Sequence, residues 1–175
     1  SILLATFAGR GFVTTGPALI FSLGDESKPG DVTSAGEQSW SLMLASTVDI
    51  DTVEIIINGQ VTETLAGIAA GETRTLKGNL NLPEGGWVAA RAYSAEPLDD
   101  PWPMMHNTPF AHSAPIWIGS VGSTDSDARA AAAADLMRAL DSVELRVKNA
   151  YGDKPMTRLM ERVERARKVL SDMLE

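Results

Sequence analysis

The stretch TVEIIINGQVTETL, Thr52–Leu65, decides the fold. Two runs rich in Val, Ile and Thr flank Asn58-Gly59, the dipeptide that tolerates positive φ at both central positions of a two-residue type I′ turn. The segment therefore predicts a β-hairpin, with Val53, Ile55 and Ile57 on one face and Glu54 and Ile56 on the other. Upstream, Gln38–Ser46 alternates with Trp40, Leu42 and Leu44 facing one way, the pattern of a half-buried antiparallel strand. Further upstream, Gly11–Leu23 is strand-like on either side of Gly16-Pro17, where a residue without an N–H makes the strand break, bulge or lie at an edge. Downstream, Thr73–Leu82 alternates through Leu76, Leu80 and Leu82. Trp87–Tyr93 sets Trp87, Ala89, Arg91 and Tyr93 on one face, and Ala114–Gly119 closes the series.

Turn chemistry separates these runs at Lys28-Pro29-Gly30-Asp31, Gly67–Gly71 and Pro83-Glu84-Gly85-Gly86. Seven or eight short strands spaced in this way predict a mainly β fold: an immunoglobulin-like, two-sheet antiparallel sandwich over residues 11–120. Residues 1–10 read as a short apolar helix, Ile2–Ala8, or as the remnant of a preceding domain.

Over residues 121–175 the composition turns helical. Thr124-x-x-Asp127 suggests a capping box, and Ala130–Ala134 is a run of the strongest helix former. Leu136, Leu140, Val143 and Val147 share one helical face. After Tyr151-Gly152-Asp153, Asp153 is the expected cap and Pro155 a first-turn residue of a second helix, whose apolar stripe runs from Met156 through Leu159, Val163 and Leu170. The two make a C-terminal α-helical hairpin that needs a surface to bury its stripes, and its apolar faces suit homo-oligomerisation.

A chain of 175 residues without cysteine has no disulfides and no cysteine-ligated zinc, and its apolar runs fall far short of a membrane span. A soluble protein is expected, in a bacterial cytoplasm, periplasm or outside the cell. Lys154–Glu175 carries six basic and four acidic residues, leaving nine basic and nineteen acidic over residues 1–153. A body this acidic argues against a nucleic-acid partner. In the basic tail, Glu161 to Arg165 and Glu164 to Lys168 have the spacing of self-paired helical ion pairs.

Groups suited to catalysis are sparse, and no residue is assigned a catalytic, metal-ligating or cofactor-binding role. The two histidines, His106 and His112, lie six apart across Pro109 and do not form a helical metal pair. His112, beside an apolar strand, reads as a structural histidine, and Trp40 and Trp87 read as core. The long segment Ser94–Pro109 is the candidate ligand-binding loop, through Asp99, Asp100, Trp102 and His106.

Four stretches then carry a resemblance. Gly9-Arg10-Gly11-Phe12-Val13-Thr14-Thr15-Gly16-Pro17 resembles the G-R-T-F-V-T-N-G-P segment of bacterial metallohydrolases of the PHP superfamily, in the carbaryl-hydrolase-like branch. Gly86–Arg91 and Ala111–Ile118, the latter with His112 and Pro115, resemble that branch's G-W-I-A-x-R and A-H-T-S-P-I-Y-V strands. The Asn58-Gly59 hairpin resembles its I-E-V-V-V-N-G-E-V. Gly11, Thr15 and the order His112-Ser113-Ala114-Pro115 depart from the pattern.

The resemblance implies the C-terminal sandwich of such an enzyme: a non-catalytic accessory domain packed on an N-terminal catalytic barrel of the same polypeptide. The zinc, manganese or iron of that barrel would have no ligands in this chain. A free-standing carbohydrate-binding or adhesion-type module is the other reading of the same sandwich.

Overall fold

The computed structural model describes residues 2–24, 26–99, 108–122, 124–152, 154 and 156–174. They divide into two units, Ser1–Thr124 and Asp125–Glu175. The first opens with helix α1 (Ile2–Phe7) and continues with ten strands: β1 (Phe12–Thr14), β2 (Ala18–Leu23), β3 (Val32–Thr33), β4 (Gly36–Ala45), β5 (Ile50–Ile57), β6 (Gln60–Ile68), β7 (Thr73–Leu82), β8 (Gly86–Tyr93), β9 (Phe110–Ser113) and β10 (Ile116–Ile118). The second holds α2 (Ser126–Tyr151) and α3 (Thr157–Ser171).

The strands form a seven-stranded and a three-stranded sheet, the latter in the order β2-β4-β7. In the larger sheet β5 lies between β6 and β8. On the far side of β8, β9 pairs with its C-terminal half and β10 with its N-terminal half. β1 then flanks β9 and β3 flanks β10, so one interrupted strand carries two short neighbours. The core lies between the sheets. Leu19, Phe21, Leu23, Trp40, Leu42, Leu44 and Leu80 of the small sheet meet Val53, Ile55, Val88, Ala90, Ala92, Ala111, Ile116 and Ile118 of the large one. The fold is thus the mainly β, immunoglobulin-like sandwich with a helical pair.

The hairpin forms where Asn58-Gly59 places it, with Asn58 at φ +50° and Gly59 at φ +84°. Thr62 is the extra residue of a bulge, because Ile55 pairs with Glu63 while Ile56 pairs with Val61; its hydroxyl donates to the Ile55 carbonyl at 3.1 Å. Gly16-Pro17 breaks the strand as expected: β1 belongs to the large sheet and β2 to the small one. Thr14 staples the crossing. Its Oγ1 donates to the Pro17 carbonyl at 2.6 Å and accepts the Gly16 N–H at 2.9 Å.

Several expectations are corrected. The last strand starts at Phe110, not Ala114, and is interrupted at Ala114-Pro115, since Pro115 has no N–H for the ladder. The buried Ser113 hydroxyl fills that gap by accepting the Ala90 N–H at 3.0 Å. The Ala114 N–H donates to the Gly11 carbonyl at 2.9 Å, and the Pro115 carbonyl accepts from the Gly30 N–H at 2.8 Å. Trp40 is core, 2% exposed, whereas Trp87 is half-buried on the outer face of the large sheet, in register with Trp117. It shares the parity of Arg91 and Tyr93, and an indole on that side points away from the small sheet.

In the helical unit the cap of α2 is Asp125 rather than Thr124: its carboxylate accepts the Ala128 N–H at 2.8 Å. Met156 occupies the cap position of α3 and offers no side-chain bond; Asp153 and Pro155, expected there, lie outside the described residues. The anticipated pairs along α3 do not form. Arg165 donates to the Glu161 carbonyl at 3.3 Å, not to its carboxylate, and the ion pairs of α3 reach across to α2, from Arg167 to Asp141 at 2.6 Å and to Glu144 at 2.8 Å. Asp141 first, then Glu144, holds the Arg167 guanidinium above its usual pKa.

Candidate functional site

Polar chemistry in the sandwich gathers on the outer face of the large sheet. Registers set Glu54 opposite Arg91, Arg91 opposite His112, and His112 opposite Val13, in one row across β5, β8, β9 and β1. The next row is Thr52, Tyr93 and Phe110, and at the other end of β8 stands Trp87 beside Trp117 and Val32. Paired residues of adjacent strands point to the same side of a sheet, so these groups share one surface.

Glu54 is the buried member, 7% exposed within the otherwise apolar run Val53–Ile57. Arg91 Nε donates to its Oε2 at 2.5 Å, and the Tyr93 hydroxyl donates to Oε1 at 3.2 Å. The Arg91 guanidinium also sits 5.4 Å from the Tyr93 ring centroid. Both carboxylate oxygens are therefore engaged. A carboxylate held this way orients its neighbours and is poorly placed to accept a proton from a substrate.

His112 is fixed in one tautomer. Its Nδ1 lies 2.6 Å from the Ser113 carbonyl, which only accepts, so the proton is on Nδ1 and Nε2 carries the lone pair in the neutral ring. The ring packs at 6.2 Å from that of Phe110. It lines an open cleft of about 520 Å³ with Thr6, Arg10, Phe12 and Val13. On the other side of Arg10-Gly11-Phe12 is a smaller apolar recess of about 220 Å³, walled by Leu19, Ile20 and Phe21. Arg10 is tied to Asp31 at 3.1 Å, and Asp31 also accepts the Lys28 N–H at 3.0 Å. The surface around these clefts is apolar: Phe7 is 88% exposed, Val13 71% and Ile20 55%.

The motif residues occupy joints of the fold. Gly9 ends α1 at φ +67°, and Gly16-Pro17 is the crossing between sheets. Asn58 clasps β8: its Nδ2 donates to the Gly85 carbonyl at 3.2 Å, its Oδ1 accepts the Trp87 N–H at 2.8 Å, and its own N–H donates to the Trp87 carbonyl at 3.0 Å. Of the candidate loop, Asp99 is exposed, and Asp100, Trp102 and His106 lie outside the described residues. Among the described residues, no three or more His, Asp or Glu side chains converge as metal ligands. Among the same residues, no helix is long and apolar enough to cross a membrane. Sequence reasoning missed the Glu54, Arg91 and Tyr93 cluster, although a lone Glu inside VEIII was a signal that a cation must face it.

No family model and no curated protein matches this chain. Its structure is similar to the solution structure of a CARDB domain from Pyrococcus furiosus, with 15% identity over 59% of this chain and 95% of that one, at a TM-score of 0.35. A crystal structure of a Pyrococcus furiosus CARDB domain in complex with di-metal ions gives 14% identity, 59% and 89% coverage, and a TM-score of 0.38. The C-terminal domain of wzt gives 14% identity, 62% and 76% coverage, and a TM-score of 0.36. These likenesses concern the sandwich architecture alone.

Proposed function

We propose that this chain is the non-catalytic accessory region of a PHP-like, metal-dependent hydrolase, packed against a catalytic barrel of the same polypeptide. One observation carries the reading: the stretches that resemble that superfamily, though far apart in sequence, meet in space. Val13 of the first stretch pairs with His112 of the last, and Asn58 of the hairpin is bonded to Trp87 of the third. An ordered set of motifs that also forms mutual contacts behaves as one inherited structural unit. The exposed Phe7, Val13 and Ile20 supply a surface against which a neighbouring domain packs. The zinc, manganese or iron, and the hydrolytic chemistry it supplies, would belong to that barrel.

Intact-mass analysis and N-terminal sequencing of the native polypeptide test the proposal. The expected product extends upstream through a barrel with a His-x-His segment, and that whole protein holds divalent metal and hydrolyses aryl esters or phosphoesters. A native polypeptide that starts at this domain overturns the reading. So does stoichiometric metal with turnover in residues 1–175 alone.

A further inference from the structure

We propose that the open groove between α2 and α3 receives an amphipathic helix whose apolar stripe is flanked by acidic side chains. The groove, about 610 Å³, is walled by Leu136, Leu140 and Val143 of α2 and Val169 of α3, with Arg162 and Arg165 at its rim. Its apolar walls face solvent: Leu136 is 55% exposed, Val143 42% and Val169 54%. A helix laid into such a trough buries residues at i, i+3, i+4 and i+7.

Charge decides between occupants. Arg167 spends its guanidinium on Asp141 and Glu144, whereas Arg162 and Arg165 have no carboxylate within ion-pair distance among the described residues. The two charged groups lining the groove are both cationic, and α3 as a whole carries five basic residues against two acidic ones. A second copy seated groove to groove by two-fold symmetry would bring like rims together, because an isologous contact matches a patch with itself. An acidic helix meets the same arginines with opposite charge and covers the same apolar walls.

The test titrates the full chain into two labelled 18-residue peptides with leucine at i, i+3, i+4 and i+7 repeats. One carries flanking glutamates, the other lysines at the same positions, and fluorescence anisotropy reads binding. The glutamate peptide is expected to bind at least tenfold more tightly, an advantage that shrinks as salt rises. Arg162→Glu with Arg165→Glu reverses the preference. Arg162→Gln with Arg165→Gln, a milder change at two exposed positions, abolishes it without reversing it, with the helical circular dichroism unchanged. Equal binding of both peptides, or binding of neither, overturns the proposal. A dimer by light scattering that Val143→Glu converts to monomer also overturns it, since the occupant is then a second copy.

Discussion

A Cβ added to Gly86 would lie 1.9 Å from Oδ1 of Asn58, so the turn of the β5–β6 hairpin and the start of β8 fit only because residue 86 has no side chain. Gly86 is also at φ +112°, a region that L side chains rarely adopt.

Gly86→Ala is therefore expected to destabilise the sandwich by about 2–4 kcal/mol, from strain and overlap together. Asn58→Gly, which keeps the positive φ but loses the side-chain bonds to Gly85 and Trp87, costs about 1–2 kcal/mol. Because it also removes the clashing carboxamide, the double variant is less destabilised than the sum by about 1 kcal/mol or more. Urea denaturation of the four proteins measures this; strict additivity means the carboxamide is not what Gly86 avoids.

Trp40 and Gly78 form a second such fit. They are register partners on β4 and β7, and a Cβ on Gly78 would meet the indole Nε1 at 2.7 Å. The same Nε1 is buried with no hydrogen-bond partner among the described residues. Gly78→Ala should cost about 1–3 kcal/mol by overpacking. Trp40→Phe should cost less than the usual 3–5 kcal/mol of a large aromatic truncation, because it removes an unsatisfied donor with the lost volume. In the Trp40→Phe background Gly78→Ala is close to neutral, which thermal melts of the single and double variants read directly.

Glu54 depends on Arg91 more than Arg91 depends on Glu54, since the side chains are 10% and 35% exposed. Arg91→Leu strands a buried carboxylate whose remaining donor is Tyr93, and a loss of about 2–3 kcal/mol is expected at neutral pH. Glu54→Leu with Arg91→Leu recovers most of that loss. A double variant as unstable as Arg91→Leu would show that the arginine contributes by packing rather than by pairing.

Arg167 offers a control with a defined pH sign. Its folded pKa is raised, so its contribution is fully present below the unfolded value and is lost only as pH climbs through the folded one, far above the neutral range. Arg167→Met is thus expected to lower the stability of the helical pair only slightly, and by the same amount at pH 7 and pH 9. A cost that changes between those pH values points to a different partner group.

What could be read from the sequence was local. The hairpin, the alternation of Gln38–Ser46 and the break at Gly16-Pro17 are set by neighbours along the chain, and each was found in place. What escaped depends on partners far away. β9 is a strand because its few residues find β8 and β1, and Phe110–Ser113 carries no pattern that announces this. The apolar spacing of Trp87 is compatible with either face of a sheet, and only the register against Trp117 puts it outside. On α3, neither expected i,i+4 pair forms, and its ion pairs join Arg167 to Asp141 and Glu144 on α2, partners that no single helix contains. Of the candidate site, Glu54 was visible as an anomaly, but its partner lies 37 positions away.

The pairing of β1 with β9 also has a consequence in time. Phe12 is in register with Ser113, 101 residues later, and β3 likewise waits for Trp117 and Ile118. At about 5–20 residues per second, a ribosome needs about 5–20 s to deliver the partner of the first strand. Throughout that interval Phe12 and Val13 lie unpaired on the nascent chain, while the Asn58-Gly59 hairpin closes within microseconds of its emergence. The large sheet thus grows from its β6 edge toward β1, and that far edge is a seam that translation leaves open until the last strand arrives.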